Sequence, residues 1–432
     1  MNRKILRLAI PNILSNLTVP LLSSVDTAIM GHLPGPVYIG AIAVGSMIFN
    51  FIYWGVGFLR MGTTGLTAQA YGGKNNREII LTLARAVLVA LGIAAFLIAA
   101  KDIIDLIAFK LINGSEEVES HARVYFQIRI FAAPATLSLY ALHGWYLGMQ
   151  NSRFPLYLGL FVNLLNILLN FLFVYRFGMT VDGIAWATVI SQYAGLGFGM
   201  LLIVKYYPSV FRFYDKTKLL EFDKIKKFFG INFDLFIRTL FLIFVFSFFT
   251  AKSAEFGDTV LSANSILLQL WLILSYGVDG FAFAAESLVG KYIGKQNKPM
   301  LVKTVKYIFG WGLGQGVALS LIFLIWIKGI ISLYTNQYQV ITTAMQFAGW
   351  TIIAPLINAV SFIWDGIFIG ATAAKPMRNS MVFSAAVVFL PLFYLLYPYW
   401  GNHALWFAMI MFMLARGITL SVYSRKYIFR NS

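Results

Sequence analysis

The stretch Pro11-Asn12-Ile13-Leu14-Ser15-Asn16-Leu17-Thr18-Val19-Pro20-Leu21-Leu22-Ser23-Ser24-Val25-Asp26-Thr27-Ala28-Ile29-Met30 decides the reading of this chain. It is apolar enough and long enough for a bilayer-spanning helix, which needs about 20 such residues. One carboxylate, Asp26, sits inside it. A charge at that depth costs at least ~2.5–3.5 kcal/mol on insertion scales, so such a residue faces a bundle interior or a wet cavity and is a functional candidate by default. Pro20 lies one to two turns earlier and cannot donate to the carbonyl of Asn16, which weakens the helix there. An acid that can take up a proton, beside a breakable helix, has the parts of a switch. The structural alternative is an Asp tied to a neighbouring helix by hydrogen bonds.

Composition agrees with the membrane reading. Of 432 residues, 59% are hydrophobic and only 12% are charged, and mean hydropathy is +0.76. No soluble domain of this length has that balance. A cleavable signal is not expected, because the first apolar run is long and lacks a small-residue cleavage site. The net charge of +17 does not point to nucleic acid, because the basic residues sit in short loops between apolar runs. With no cysteine there is no disulfide framework, thiolate metal site or thiol nucleophile. His32, His121, His143 and His403 show no metal-ligand spacing.

About twelve helices are expected, roughly over 9–32, 39–66, 79–100, 122–147, 155–175, 183–205, 230–251, 259–286, 302–326, 342–370, 379–397 and 401–423. Gly72-Gly73-Lys74-Asn75-Asn76 is a clear break. In Asn113-Gly114-Ser115-Glu116-Glu117, Ser115 can cap a helix with an acidic first turn. The longest polar connection, Lys205 to Lys227, divides the chain. Residues 1–206 are expected to form one six-helix bundle, 207–229 a cytoplasmic linker and 230–432 a second bundle. On a twelve-helix trace the cations near Arg3, Lys74, Arg153, Lys205–Lys227, Lys295, Lys375 and Arg425 fall on one side. The positive-inside rule then puts both termini in the cytoplasm.

The halves resemble each other at a shift of about 221 residues. Tyr71-Gly72-Gly73-Lys74-Asn75-Asn76 matches Tyr292-Ile293-Gly294-Lys295-Gln296-Asn297, and His143-Gly144-Trp145-Tyr146-Leu147-Gly148 matches Asp365-Gly366-Ile367-Phe368-Ile369-Gly370. Repeats with an even number of helices lie the same way up, related by an axis along the membrane normal, with the substrate route between them. The expected fold is therefore an all-α polytopic membrane protein, two pseudo-symmetric six-helix bundles around a central cleft.

Several polar residues sit where lipid should be. Asn163, Asn166 and Asn170 recur at helical spacing and share one face, which must look into protein or water. They are either packing glue or part of the same polar pocket as Asp26. In the second half Asp279 and Glu286 lie two turns apart on one helix face. Asp365 follows Pro355, which should bend its helix. Acids brought close together do not all stay ionised unless a cation joins them, so a hard cation such as Na⁺ at Asp279 and Asp365 is a candidate. The alternative is that each acid has a partner among Arg60, Arg129 and Arg416. Asp234 and Arg238, four apart, read as a structural pair. The 39 Phe, 22 Tyr and 10 Trp suit lipid contact, interface belts, or a cleft for flat apolar or cationic molecules.

These motifs taken together resemble the multidrug and toxic compound extrusion (MATE) family, in its DinF-like branch. The stretches carrying the resemblance are Ile10-Pro11…Val19-Pro20-Leu21-Leu22…Val25-Asp26-Thr27-Ala28…Gly31-His32-Leu33, Leu59-Arg60-Met61-Gly62-Thr63-Thr64-Gly65-Leu66-Thr67-Ala68-Gln69-Ala70, Trp364-Asp365-Gly366-Ile367-Phe368-Ile369-Gly370-Ala371-Thr372…Met377-Arg378-Asn379-Ser380-Met381 and Gly401-Asn402-His403-Ala404-Leu405-Trp406. The resemblance implies secondary efflux of cationic or amphipathic organic compounds in exchange for H⁺ or Na⁺. It implies that Asp26 is the proton site and bends the first helix, that Asp365 matches an acid that helps bind the coupling cation, and that Asn166 belongs to the first-half pocket. Relatives often carry Asp where this chain has Asn170, and an amide does not titrate near neutral pH. No cofactor is expected beyond the coupling ion. The expected partners are the bilayer of the inner membrane and small organic substrates, with no nucleic acid, and the expected state is a monomer. Three other readings are weaker. A lipid-linked oligosaccharide flippase of similar plan would need a cation-rich cleft. An intramembrane enzyme would need a Ser/His/Asp, Cys/His or metal-spaced set. A channel would need a filter-like repeat.

Overall fold

The computed structural model describes residues 1–31, 37–111 and 115–430, with the side chains of 17–28, 30, 31 and 274 outside that description. Among the described residues the chain is helical and has no strand. In the first half the helices are α1 Asn2–Gly31, α2 Val37–Val56, α3 Phe58–Gly72, α4 Asn76–Ala99, α5 Lys101–Leu111, α6 Glu116–Arg129, α7 Ala133–Gly148, α8 Arg153–Phe171 and α9 Val181–Tyr206. The short turns α10 Pro208–Phe211 and α11 Lys216–Leu219 follow. The second half contains α12 Phe222–Glu255, α13 Asp258–Gly294, α14 Lys298–Ser332, α15 Tyr338–Gly370, α16 Ala374–Phe383, α17 Leu390–Trp400 and α18 Asn402–Ser424.

Ten segments among the described residues are long and apolar enough to cross a bilayer. The 30 residues of α1 and the column α6–α7 bring the number of crossings to the twelve expected. Two expected helices are interrupted. The span expected at 122–147 breaks into α6, a single 3₁₀ turn Ile130–Ala132 and α7. The break comes where Pro134 opens α7 and removes an N–H from the ladder. The span expected at 39–66 steps at Gly57, between α2 and α3. By contrast α15 runs unbroken past Pro355, and the backbone of α1 is helical through position 20.

The chain packs as two compact units, Leu14–Lys227 and Met1–Ile13 with Phe228–Ser432. This differs from the division at 1–206, 207–229 and 230–432 in two ways. The first turns of α1 belong to the second-half unit. Gly280 on α13 leaves room for them, because a Cβ there would lie 2.2 Å from Ile13 Cγ1 and 2.9 Å from the Ala9 carbonyl. Nearby, Trp311 Nε1 donates to Asn2 Oδ1 at 3.2 Å. The stretch 208–219, part of the expected cytoplasmic linker, is bound to the first-half unit by Arg85 of α4. That side chain is 4% exposed. It donates from Nε to the Leu219 carbonyl at 2.9 Å, from Nη2 to the Lys218 carbonyl at 2.8 Å and from Nη1 to Glu78 Oε1 at 2.8 Å.

Each unit has its own aromatic core. In the first-half unit Trp145 and Tyr146 are fully buried. Trp145 Nε1 donates to the Ile79 carbonyl at 3.0 Å and the Tyr146 hydroxyl to the Gly199 carbonyl at 2.7 Å. In the other unit Trp271, Phe249 and Trp406 meet, and Trp406 Nε1 donates to Asn264 Oδ1 at 2.8 Å. These acceptors satisfy the buried ring N–H groups of Trp145 and Trp406.

The internal repeat recurs in atomic detail, at a shift of 222 (366 less 144) rather than 221. A Cβ on Gly144 would lie 2.3 Å from the Arg60 carbonyl oxygen, and one on Gly366 would lie 2.3 Å from that of Ala282. One turn on, a Cβ on Gly148 would meet Thr67 Cβ at 2.5 Å and Ala68 N at 2.9 Å. One on Gly370 would meet the Glu286 carbonyl at 2.6 Å and Gly290 N at 3.0 Å. Both pairs are Gly-x-x-x-Gly, the spacing that lets two membrane helices touch backbone to backbone. Here it joins α7 to α3 and α15 to α13. The loops obey the same shift. Left-handed residues stand at Lys74 (φ 55°) and Gln296 (φ 54°), and at Gln150 (φ 64°) and Thr372 (φ 55°). In both halves an asparagine then caps the next helix, Asn75 accepting from Glu78 N and Asn297 from Met300 N. The register slips from the sequence match because that match weighs Tyr71 against Tyr292. The structure pairs Tyr292 with Ala70, whose carbonyls accept from Asn297 N and Asn75 N, each at 2.9 Å.

Gly366→Ala should therefore lower stability by about 1–3 kcal/mol, the usual cost of overpacking. Gly310→Ala, whose Cβ would meet nothing within 4 Å, should be neutral. Thermal unfolding in detergent, followed by circular dichroism, compares the two. Equal midpoints would remove the packing role given to Gly366.

Candidate functional site

In the second-half unit three helices converge on one carboxylate. Asp365 of α15 is 6% exposed, and its Oδ2 accepts from Arg416 Nη2 of α18 at 2.6 Å and from Arg238 Nη2 of α12. Arg416 is 1% exposed. Its Nη1 also donates to Met413 Sδ at 3.1 Å, and its guanidinium lies 5.4 Å from the Phe412 ring centroid. The acid is placed by the close crossing just described, since Gly366 is the next residue along. The arginines are placed by helical phase on α12 and α18.

This geometry corrects one expectation. Arg238 does not pair with Asp234, although the two are four apart on α12. Asp234 accepts from Arg378 Nη1 at 2.6 Å instead, leaving Arg238 to reach the buried acid. A four-residue spacing permits a contact but does not compel it, and a buried acid needs a cation more than a half-exposed one does. Asp365, expected with Asp279 as a candidate for Na⁺, has two guanidinium groups on its Oδ2. Asp279 is half-buried and Glu286 is 1% exposed, both on α13. The backbone of Glu286 is at the point where Gly370 and α13 touch. Among the described residues no cluster of three His, Cys, Asp or Glu could hold a metal ion.

In the first-half unit the asparagine face of α8 is a bonded chain. Asn170 Nδ2 donates to Asn166 Oδ1 at 3.0 Å, and Asn166 Nδ2 to Thr188 Oγ1 of α9 at 3.3 Å. Asn166 and Asn170 are 1% and 0% exposed, while Asn163 is half-buried. On another face Arg129 of α6 lies 4.7 Å from the Phe49 ring centroid. It donates to the Tyr125 hydroxyl and, at 3.4 Å, to Ser46 Oγ. The side chains of Asp26 and Pro20 lie outside the described residues. The structure thus joins Asn166 to Asn170, and Asp365 to two arginines. Arg238, Arg378 and Thr188 are the partners that sequence reasoning missed. The paired Gly-x-x-x-Gly spacing would have located Asp365 at a helix crossing, but nothing in the sequence selects Arg238 over Asp234's own neighbours.

Asp365→Asn should leave buried guanidinium charge uncompensated and cost about 3–5 kcal/mol. Adding Arg238→Gln should recover part of that loss. Unfolding midpoints of the single and double variants test this, and a double variant no more stable than the single would show that Arg238 contributes nothing to the cluster.

Comparison with known proteins places this arrangement. The family model MatE matches residues 11–172 and 235–395, one match in each half. The chain is 37% identical over 420 residues to the DNA damage-inducible protein F of Escherichia coli K12, covering 97% of this chain and 91% of that protein. It is 25% identical to a probable multidrug resistance protein NorM of Thermotoga maritima, covering 78% and 73%. Among solved structures, the Vibrio cholerae MATE transporter VcmN in its bent form superposes with a TM-score of 0.88 at 16% identity, covering 99% and 97%. A MOP superfamily transporter from Pyrococcus furiosus gives 0.86 at 16% identity, covering 98% and 95%. Two repeats with the same glycine-seated crossing, twelve helices, and a family match in each half lead to one conclusion: the chain belongs to the MatE family of multidrug efflux transporters.

Proposed function

We propose that this transporter is an antiporter that exports organic, cationic or amphipathic compounds in exchange for H⁺, with Asp26 as the coupling acid. The observation that carries the choice of ion and residue is the pairing of Asp365 with Arg238 and Arg416. Both guanidinium groups bond the same oxygen of that carboxylate, so it is already engaged in a structural cluster. Their two positive charges also disfavour a Na⁺ beside it. Asn170 stands in the bonded chain of α8, where an amide cannot titrate near neutral pH. These two facts favour Asp26 over the second-half acids and favour H⁺ over Na⁺. Asn163, Asn166 and Asn170 then serve the pocket through hydrogen bonding, and Asp279 and Glu286 remain the second-half groups able to respond to a change at the cleft. Pro20 supplies the weak point at which α1 yields when Asp26 changes charge. Orientation with both termini in the cytoplasm follows from the basic loops, and the inner membrane from the bacterial relative.

Proteoliposomes preloaded with a fluorescent organic cation test this under separately imposed pH and Na⁺ gradients. A pH gradient alone should drive transport, and Asp26→Asn should abolish it while leaving the unfolding midpoint unchanged. Transport by Asp26→Asn at the wild-type rate would remove Asp26 from the mechanism. Transport driven only by Na⁺ would refute the choice of ion.

A further inference from the structure

A groove of about 520 Å³ runs between α15 and α18 in the second-half unit. That volume lies within the ~300–1,000 Å³ of small-molecule sites. Leu356 and Val360 of α15 and Leu414 and Ile418 of α18 line it, Gly417 keeps it open, and Arg425 lies at one end. A Cβ on Gly417 would come within 3.2 Å of Val360 Cγ1, so any larger residue there would close the slot against α15. The rim is open: Ile418 is 55% exposed and the adjoining lining residue Val422 is 64% exposed. Both belong to a bilayer-spanning segment, where acyl chains are the solvent.

We infer that this groove is a binding site for one anionic phospholipid, its acyl chain lying along α18 and its phosphate at Arg425. Three observations carry the assignment. From Leu414 to Arg425 the helix rises roughly 16 Å, which is about half of a ~30 Å hydrocarbon core and therefore one leaflet. The basic end lies where the last span leaves the membrane, followed by Lys426 and Arg430, on the side where the basic loops collect. Anionic lipid is drawn to such clusters between transmembrane helices. The lining is otherwise apolar, and its one hydroxyl, on Ser421, is already engaged, accepting from Trp364 Nε1 at 2.7 Å and donating to the Gly417 carbonyl at 2.7 Å. A cationic compound would meet Arg425 with the wrong sign.

Native mass spectrometry of the purified full-length protein, titrated with phosphatidylglycerol or phosphatidylcholine, tests the site. The wild-type protein should retain one phosphatidylglycerol at least about fivefold more strongly than phosphatidylcholine, the preference expected of one basic group near the membrane surface. Arg425→Glu should abolish that preference, and Lys298→Glu, which does not line the groove, should keep it. Ile418→Trp should block retention of both lipids with unchanged circular dichroism, and Val422→Trp serves the same purpose if that variant fails to fold. Equal retention of the two lipids by the wild type, a preference that survives Arg425→Glu, or displacement of the lipid by an organic cation would each overturn the assignment.

Discussion

The constraint on which both units depend is the contact of two helix backbones with no side chain between them. At Gly144 and Gly366 the gap is so small that a single methyl carbon would fall 2.3 Å from a carbonyl oxygen. Lipid tails are as apolar as leucine, so helices in a bilayer are held by packing and hydrogen bonds rather than by escape from water. Close approach is the way to gain those contacts. Once α7 is seated on α3, and α15 on α13, the neighbouring helices have one set of grooves to fill. The aromatic cores around Trp145 and Trp406 fill them.

Packing is repeated, but chemistry is not. The shift that superposes Gly144 on Gly366 places His143 where the second unit has Asp365, and Thr64 where it has Glu286. Thr64 simply returns its hydroxyl proton to the Arg60 carbonyl of its own helix at 2.9 Å. Asp365 draws two arginines from two other helices. The duplicated scaffold therefore carries unlike polar groups: an amide chain on α8 and aromatic-held Arg129 in one unit, a carboxylate–diguanidinium cluster in the other. Two mechanically similar halves thus hold different charges at matching positions. The fixed cluster also ties α12, α15 and α18 together at membrane depth, where water cannot compete for its bonds.

Much of this was legible from residue order. Twelve apolar runs, the two-half plan and the repeated loop motif follow from hydropathy and from like residues at a constant spacing. Asp365, Asn166 and Asn170 stood out because polar side chains in apolar runs must face protein. What failed did so for identifiable reasons. Asp234 and Arg238 are neighbours on a helix, yet the stronger demand of a buried acid far along the chain took the arginine away. The linker 207–229 reads as a polar connection, and nothing in its residues shows that the carbonyls of Lys218 and Leu219 are fastened by a single buried arginine on α4. Of the two sequence matches, the one at His143 and Asp365 already has the true shift, whereas the loop match is one residue off because a matching tyrosine outweighed the backbone hydrogen bonds and left-handed residues.

Composition and spacing alone determined that this chain lives in a membrane, crosses it about twelve times and is built twice from one plan, because burial in lipid forces long apolar runs and duplication leaves a periodic trace. Tertiary structure alone decided which arginine pairs with which acid and where the first turns of α1 belong. Those choices are competitions between partners distant in sequence, settled by distance and desolvation, and linear order does not record either.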